Sequence, residues 1–76
     1  MTSSTEHLIE MANDIGNYFV AEPDPAVARA GIRQHIERFW EPRMRRRLLI
    51  HLVDAHGEGL APLVRDALIG MTVPPA

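Results

Sequence analysis

The sequence predicts an all-α fold: a small single-domain bundle of three helices plus a short fourth C-terminal helix. Three observations predict it. Apolar residues recur at three- and four-residue spacing in successive segments, the period of a helix with one buried face. Prolines fall where one such segment ends and the next begins, at Pro23, Pro25, Pro42 and Pro62. No segment alternates apolar and polar residues as a half-buried strand would.

The first helix is predicted over residues 4–21. Ser3 and Glu6 have capping-box spacing, with Ser3 as N-cap. Leu8, Met11, Ala12, Ile15, Tyr18 and Phe19 then recur on one side, with Glu10, Asn13, Asp14 and Asn17 on the other. Gly16 costs about 1 kcal/mol against alanine inside a helix, which a close helix crossing would explain. Pro23 ends this helix, because a residue preceding proline is pushed out of the helical region. Asp24-Pro25 opens the second, as N-cap and first helical residue. It runs to Trp40, with Ala28, Ile32, His35, Ile36 and Phe39 on one face. The short connection predicts antiparallel packing of these two helices.

Glu41-Pro42 breaks the second helix and opens a third over Pro42–Ala55. At about 100° per residue, Arg43, Arg46 and Arg47 share one broad face. Met44, Leu48, Leu49 and Leu52 form its core side, with Arg45 inside that arc. Ile50 and Val53 lie opposite, so this helix is apolar on two sides. Gly57 is the predicted C-cap in His56-Gly57-Glu58-Gly59. Leu60, Leu63, Val64, Ala67 and Leu68 outline a fourth helix over 61–69, and Gly70 ends it. Residues 1–7 are expected to be a flexible N-terminus, 8–69 the domain, and 70–76 a tail with no element of its own.

Composition narrows the function classes. With 76 residues the chain forms one domain at most, and such a chain buries only about 60 % of its unfolded surface. Small domains compensate with disulfides, a metal or a partner. The sequence has no cysteine, which excludes disulfides, iron–sulfur ligation and thiolate zinc. A partner or self-association is therefore the expected source of added stability. No apolar run approaches a membrane span and the first residues do not resemble a signal peptide, so the expected location is cytoplasmic.

Charge is uneven although the net is −2. Residues 1–24 carry −5, residues 29–47 carry +5, and the remainder −2. All eight basic residues are arginine, which pairs bidentately with carboxylates and phosphates. Compositional bias would also give an arginine- and alanine-rich chain. The four histidines, His7, His35, His51 and His56, lack metal-ligand spacing. His35 reads as a core or interface histidine. There is no Gly-rich phosphate loop and no GxSxG. The carboxylates are scattered over helix surfaces, so an active site of its own is not expected.

The stretch Arg38–Arg47 concentrates what is distinctive: the sole tryptophan and five of the eight arginines. Two helices joined by a Glu-Pro turn invite a helix-turn-helix reading. Against it, the arginines circle the third helix, and no Asn or Gln is placed there to read bases. A solvated charged face is the ordinary reading. A protein-docking surface accounts for more, since interfaces are enriched in arginine beside apolar anchors. Phe39 follows the core period. Trp40 either caps the core over Pro42 and Met44 or anchors a partner.

Three blocks carry a resemblance. They are Met11-Ala12-Asn13-Asp14-Ile15-Gly16-Asn17-Tyr18-Phe19, His35-Ile36-Glu37-Arg38-Phe39-Trp40-Glu41-Pro42-Arg43-Met44-Arg45, and Gly57-Glu58-Gly59-Leu60-Ala61-Pro62-Leu63-Val64. In this order and spacing, over about residues 8–69, the chain resembles the delta subunit of NAD-dependent formate dehydrogenases. Phe-Trp-x-Pro-Arg-Met-Arg is the most specific part. Tyr18 departs from the pattern, standing where a phenylalanine is expected.

The resemblance implies a non-catalytic, cytoplasmic accessory subunit of a molybdenum- or tungsten-containing enzyme. It implies an alpha subunit holding bis-molybdopterin guanine dinucleotide and iron–sulfur clusters. Beta and gamma subunits would hold FMN, the NAD site and further clusters. The implied role is assembly, stability, or insertion and retention of the molybdenum cofactor. No cofactor or metal is expected on this chain itself. The expected partner-binding residues are Trp40, Pro42, Arg43, Arg45, Arg46, Arg47, Ile50 and Val53. The alternative is a free-standing helical module, either a homodimer or a nucleic-acid binder.

Overall fold

The computed structural model describes residues 4–75 and contains α1 (Thr5–Phe19), α2 (Pro25–Phe39), α3 (Pro42–Asp54) and α4 (Pro62–Leu68). No strand occurs among the described residues. The protein is all-α, as its periodicity predicts. Three of the four helices begin on proline, whose fixed φ suits a first helical residue that needs no N–H partner. Asp24 caps α2, its Oδ1 accepting from the Ala26 N–H at 2.9 Å.

The start of α1 differs from the capping-box reading. Ser3 lies outside the described residues, and the N-cap position is held by Ser4, in extended conformation. The Ser4 carbonyl accepts from the His7 and Leu8 N–H groups at 3.1 and 3.4 Å. With Ser4 as cap, Glu6 falls one position too early to close the box. It remains in the first turn, where its charge opposes the positive helix end. Residues 5–7, inside the helix predicted over 4–21, make the first turn of α1.

One core joins all four helices. Leu8 and Ala12 of α1, Ile32 and Ile36 of α2, Leu48 and Leu49 of α3, and Val64, Ala67 and Leu68 of α4 are buried together with Leu60 and Trp40. α2 packs against α4 and α1, and α1 also packs against α3. Gly16 marks the crossing its cost suggested: a Cβ there would collide with Cγ2 of Val64. Tyr18 departs from the predicted face. It stands about 200° round the helix from Gly16 and is 80 % exposed, its ring edge-on to Phe19 at 5.1 Å.

The α2–α3 corner overturns the expectation for Phe39 and decides between the two readings of Trp40. Phe39 is 69 % exposed and Trp40 only 6 %. Trp40 is no longer helical; its φ of −89° and ψ of 140° are extended. The 100° rule therefore stops at Phe39, and the chain swings the indole back into the core. Phe39, on the last turn, is left beyond the elements that would cover it.

Asn13, placed by sequence on the polar side of α1, holds the approach to α4. Its Nδ2 donates to the Gly59 carbonyl at 3.0 Å, and its Oδ1 accepts from the Ala61 N–H at 2.9 Å. Ala61 sits at the N-cap position of α4 and has no side-chain oxygen of its own to cap with. Removing the pair leaves the part-buried Ala61 N–H without its acceptor, while water can reach the exposed Gly59 carbonyl, a loss of about 1 kcal/mol. Asn13→Ala is therefore expected to melt at least about 4 °C lower in a circular-dichroism thermal scan. An unchanged melt would show that the bridge contributes no stability.

The turn after α3 also refines a prediction. Ala55 is the C-cap, and His56 takes the left-handed conformation with φ of 57°. Gly57, the predicted cap, follows with φ of 69° and is buried. A Cβ on Gly57 would crowd Leu52 and Arg65 at 3.0 and 3.3 Å. His51 ties the turn to α3, its Nε2–H donating to the Glu58 carbonyl at 2.7 Å. Residues 71–75 form no helix or strand, but Pro74 is buried.

Candidate protein-docking site

The α3 arginines divide by position on the helix. Arg45, inside the core arc, is half-buried. Its Nη1 donates to the Trp40 carbonyl at 2.9 Å and to the Glu37 carbonyl at 3.4 Å. It satisfies carbonyls at the end of α2, where a cation also meets the negative helix terminus. Arg46 is half-buried and donates from Nη1 to the Pro74 carbonyl at 3.3 Å, holding the C-terminal segment against α3. Arg43 and Arg47 are exposed. Arg33 of α2 plays the same kind of structural part, donating from Nε to the Ala67 carbonyl at 2.9 Å at the end of α4.

Arg43 is the centre of the exposed surface. It lines three open depressions along α3. One, of about 470 Å³, is bordered by Thr5, Arg46, Arg47, Ile50, His51 and Asp54. A second, of about 510 Å³, runs between α1 and α3 and has Leu8, Met11 and Met44 on its floor. The third lies against Pro42, Arg46 and Pro75. Further along the same face Ile50 is 37 % and Val53 69 % exposed. The helix is thus apolar on two sides, and the outer side carries arginine beside aliphatic surface.

Of the expected partner-binding residues, Pro42, Arg43, Arg47, Ile50 and Val53 are exposed on or beside this face, with Arg46 at its edge. Trp40 and Arg45 are not presented there. The indole belongs to the core, and the guanidinium is held by α2 carbonyls. The floor of the groove between α1 and α3 was not anticipated from sequence. Its signal was present in Met11 and Met44, both read simply as core. Holding Arg45 and Arg46 on the chain's own carbonyls also leaves fewer guanidinium groups to grip a phosphate backbone, which weighs against the nucleic-acid reading.

Among the described residues no group of three or more His, Cys, Asp or Glu side chains is placed to hold a metal ion. With no thiolate in the chain, its residues do not fit an iron–sulfur cluster.

A family model described as NADH-dependent formate dehydrogenase delta subunit FdsD matches residues 7–68. The chain belongs to this family. The match takes in all of α2, α3 and α4 and most of α1, and so includes both walls of the α1–α3 groove. The sequence blocks that carry the delta-subunit resemblance meet in the fold. Asn13 of the first block bonds to Gly59 and Ala61 of the third, and the second block makes the α2–α3 corner. No curated protein and no solved structure matches the chain.

Proposed function

We propose that this delta-subunit family member is a non-catalytic accessory subunit that docks on the catalytic alpha subunit of a formate dehydrogenase. The observation that carries this reading is the outer face of α3. There Arg43 and Arg47 stand exposed beside Ile50 and Val53, on a helix whose other side already closes the core. Arginine flanked by exposed aliphatics suits a protein surface bearing carboxylates. Among the described residues no group of three or more His, Cys, Asp or Glu side chains is placed to hold a metal ion, which supports a structural contribution to the enzyme.

Its role in the complex is assembly, stability, or insertion and retention of the molybdenum or tungsten cofactor. The bis-molybdopterin guanine dinucleotide, iron–sulfur clusters, FMN and NAD belong to the alpha, beta and gamma subunits. No helix among the described residues is long and apolar enough to cross a membrane. A cytoplasmic complex is part of the proposed reading.

Arg43→Ala separates docking from a cofactor-proximal part. Purified complex containing this variant is expected to keep normal metal content per alpha subunit while binding the small subunit more weakly. Elemental analysis of the eluate together with the subunit ratio reads both quantities. Full small-subunit occupancy with lost molybdenum or tungsten would place Arg43 at the cofactor rather than at a protein carboxylate.

A further inference from the structure

A second exposed face lies away from the α3 surface. Val27, Gly31, His35 and Phe39 recur every four residues along α2, beside the buried row Ala28, Ile32 and Ile36. Four-residue spacing places side chains one above another as a ridge. Val27 is 50 % exposed, and His35 is exposed with its ring 4.8 Å from that of Phe39. At Gly31 the missing side chain admits the Phe19 ring, on whose edge Tyr18 lies. Val20 adds further exposed apolar surface at the end of α1. Phe19 also packs against the core, whereas Val27, His35, Phe39, Tyr18 and Val20 stand exposed outside it.

We propose that this α2 face binds a second copy of the chain, with the two α2 helices antiparallel. The row is symmetric about position 33. In an antiparallel pair Val27 faces Phe39 of the other copy, and His35 faces the Gly31 notch with its Phe19 and Tyr18 rings. From Val27 to Phe39 the ridge extends about 18 Å. Charge fits the same arrangement. Exposed Glu22 and Asp24 stand at the N-terminal end of α2. At the C-terminal end exposed Arg38 falls within the arc of the ridge, whereas exposed Glu37 lies about 140° round the helix from the ridge centre and exposed Glu41 lies beyond the helix. Antiparallel pairing brings each acidic end toward the basic end of the other copy, and opposes the two helix dipoles. A parallel pair would set like charges together. The inference is independent of what docks on α3.

Sedimentation of the full chain across micromolar to submillimolar concentrations tests it. A concentration-dependent dimer is expected, and Phe39→Glu is expected to raise its dissociation constant at least about ten-fold. Val53→Glu, on the α3 face, should leave dimerisation unchanged. Because the chain has no cysteine, a nitroxide on Gln34→Cys reports only distances between copies. One defined short distance is expected from helices paired near their midpoints. A chain that stays monomeric throughout would overturn the proposal. So would a dimer dissolved by Val53→Glu but not by Phe39→Glu, or a labelled dimer with no short distance.

Discussion

Trp40→Ala is expected to remove a large part of the stability of this domain. The indole is the largest side chain in the core and sits where α2, α3 and the chain reversal between them meet. Truncating a buried aromatic costs about 3–5 kcal/mol. A domain of this size has only about 5–15 kcal/mol in total. Each kcal/mol corresponds to roughly 4–8 °C for such a chain, so the melting temperature should fall by about 12 °C or more. Phe39→Ala, one residue earlier, is expected to change the stability of the monomer, scanned at low concentration, by no more than about 0.5 kcal/mol, since that ring is exposed. Thermal scans of both variants check the contrast. A Trp40→Ala protein melting near the parent would mean that the indole does not hold the corner together. If the variant melts low as expected, any assembly defect it shows follows from unfolding and says nothing about a docking anchor.

Arg43→Glu combined with Val53→Glu is expected to abolish stable association with the large subunits without unfolding the chain. Both side chains are exposed on α3. Each anchor of this type contributes about 2 kcal/mol when truncated, close to 30-fold in affinity. The two positions lie about 15 Å apart along the helix, far enough for their effects to add. Together they predict a loss of about 1,000-fold. Co-purification measures this directly, with a thermal scan confirming that the variant remains folded. A folded double variant that co-purifies at parental yield would remove the outer face of α3 from the interface.

The helices were legible because proline, aspartate and the 3.6-residue period act locally. Pro25, Pro42 and Pro62 begin helices wherever they stand in the fold. The outer face of α3 was legible for a related reason: once Leu48 and Leu49 define the inner side of the helix, Arg43, Ile50 and Val53 must lie elsewhere. What periodicity could not show was decided outside helices or across the chain. Trp40 is buried because its backbone leaves the helix, after which its direction is set by the turn. Arg45 and Arg46 resemble Arg43 in sequence, yet they bond to carbonyls of Trp40 and Pro74, which only the tertiary fold brings within reach. Asn13 looks like any polar residue on a solvated helix face. Its partners are 46 and 48 residues away. The Met-Ala-Asn and Gly-x-Gly-Leu-x-Pro blocks were noted as parts of the delta-subunit resemblance, but their hydrogen-bonded contact was visible only in three dimensions.

The most direct measurement is a tagged pull-down of the full chain from its native cells, with elemental and activity analysis of the eluate. An accessory subunit predicts co-elution of large iron–sulfur subunits, molybdenum or tungsten, and formate-dependent NAD reduction. A chain that elutes without them, from cells making active enzyme, would contradict a lasting place in the complex.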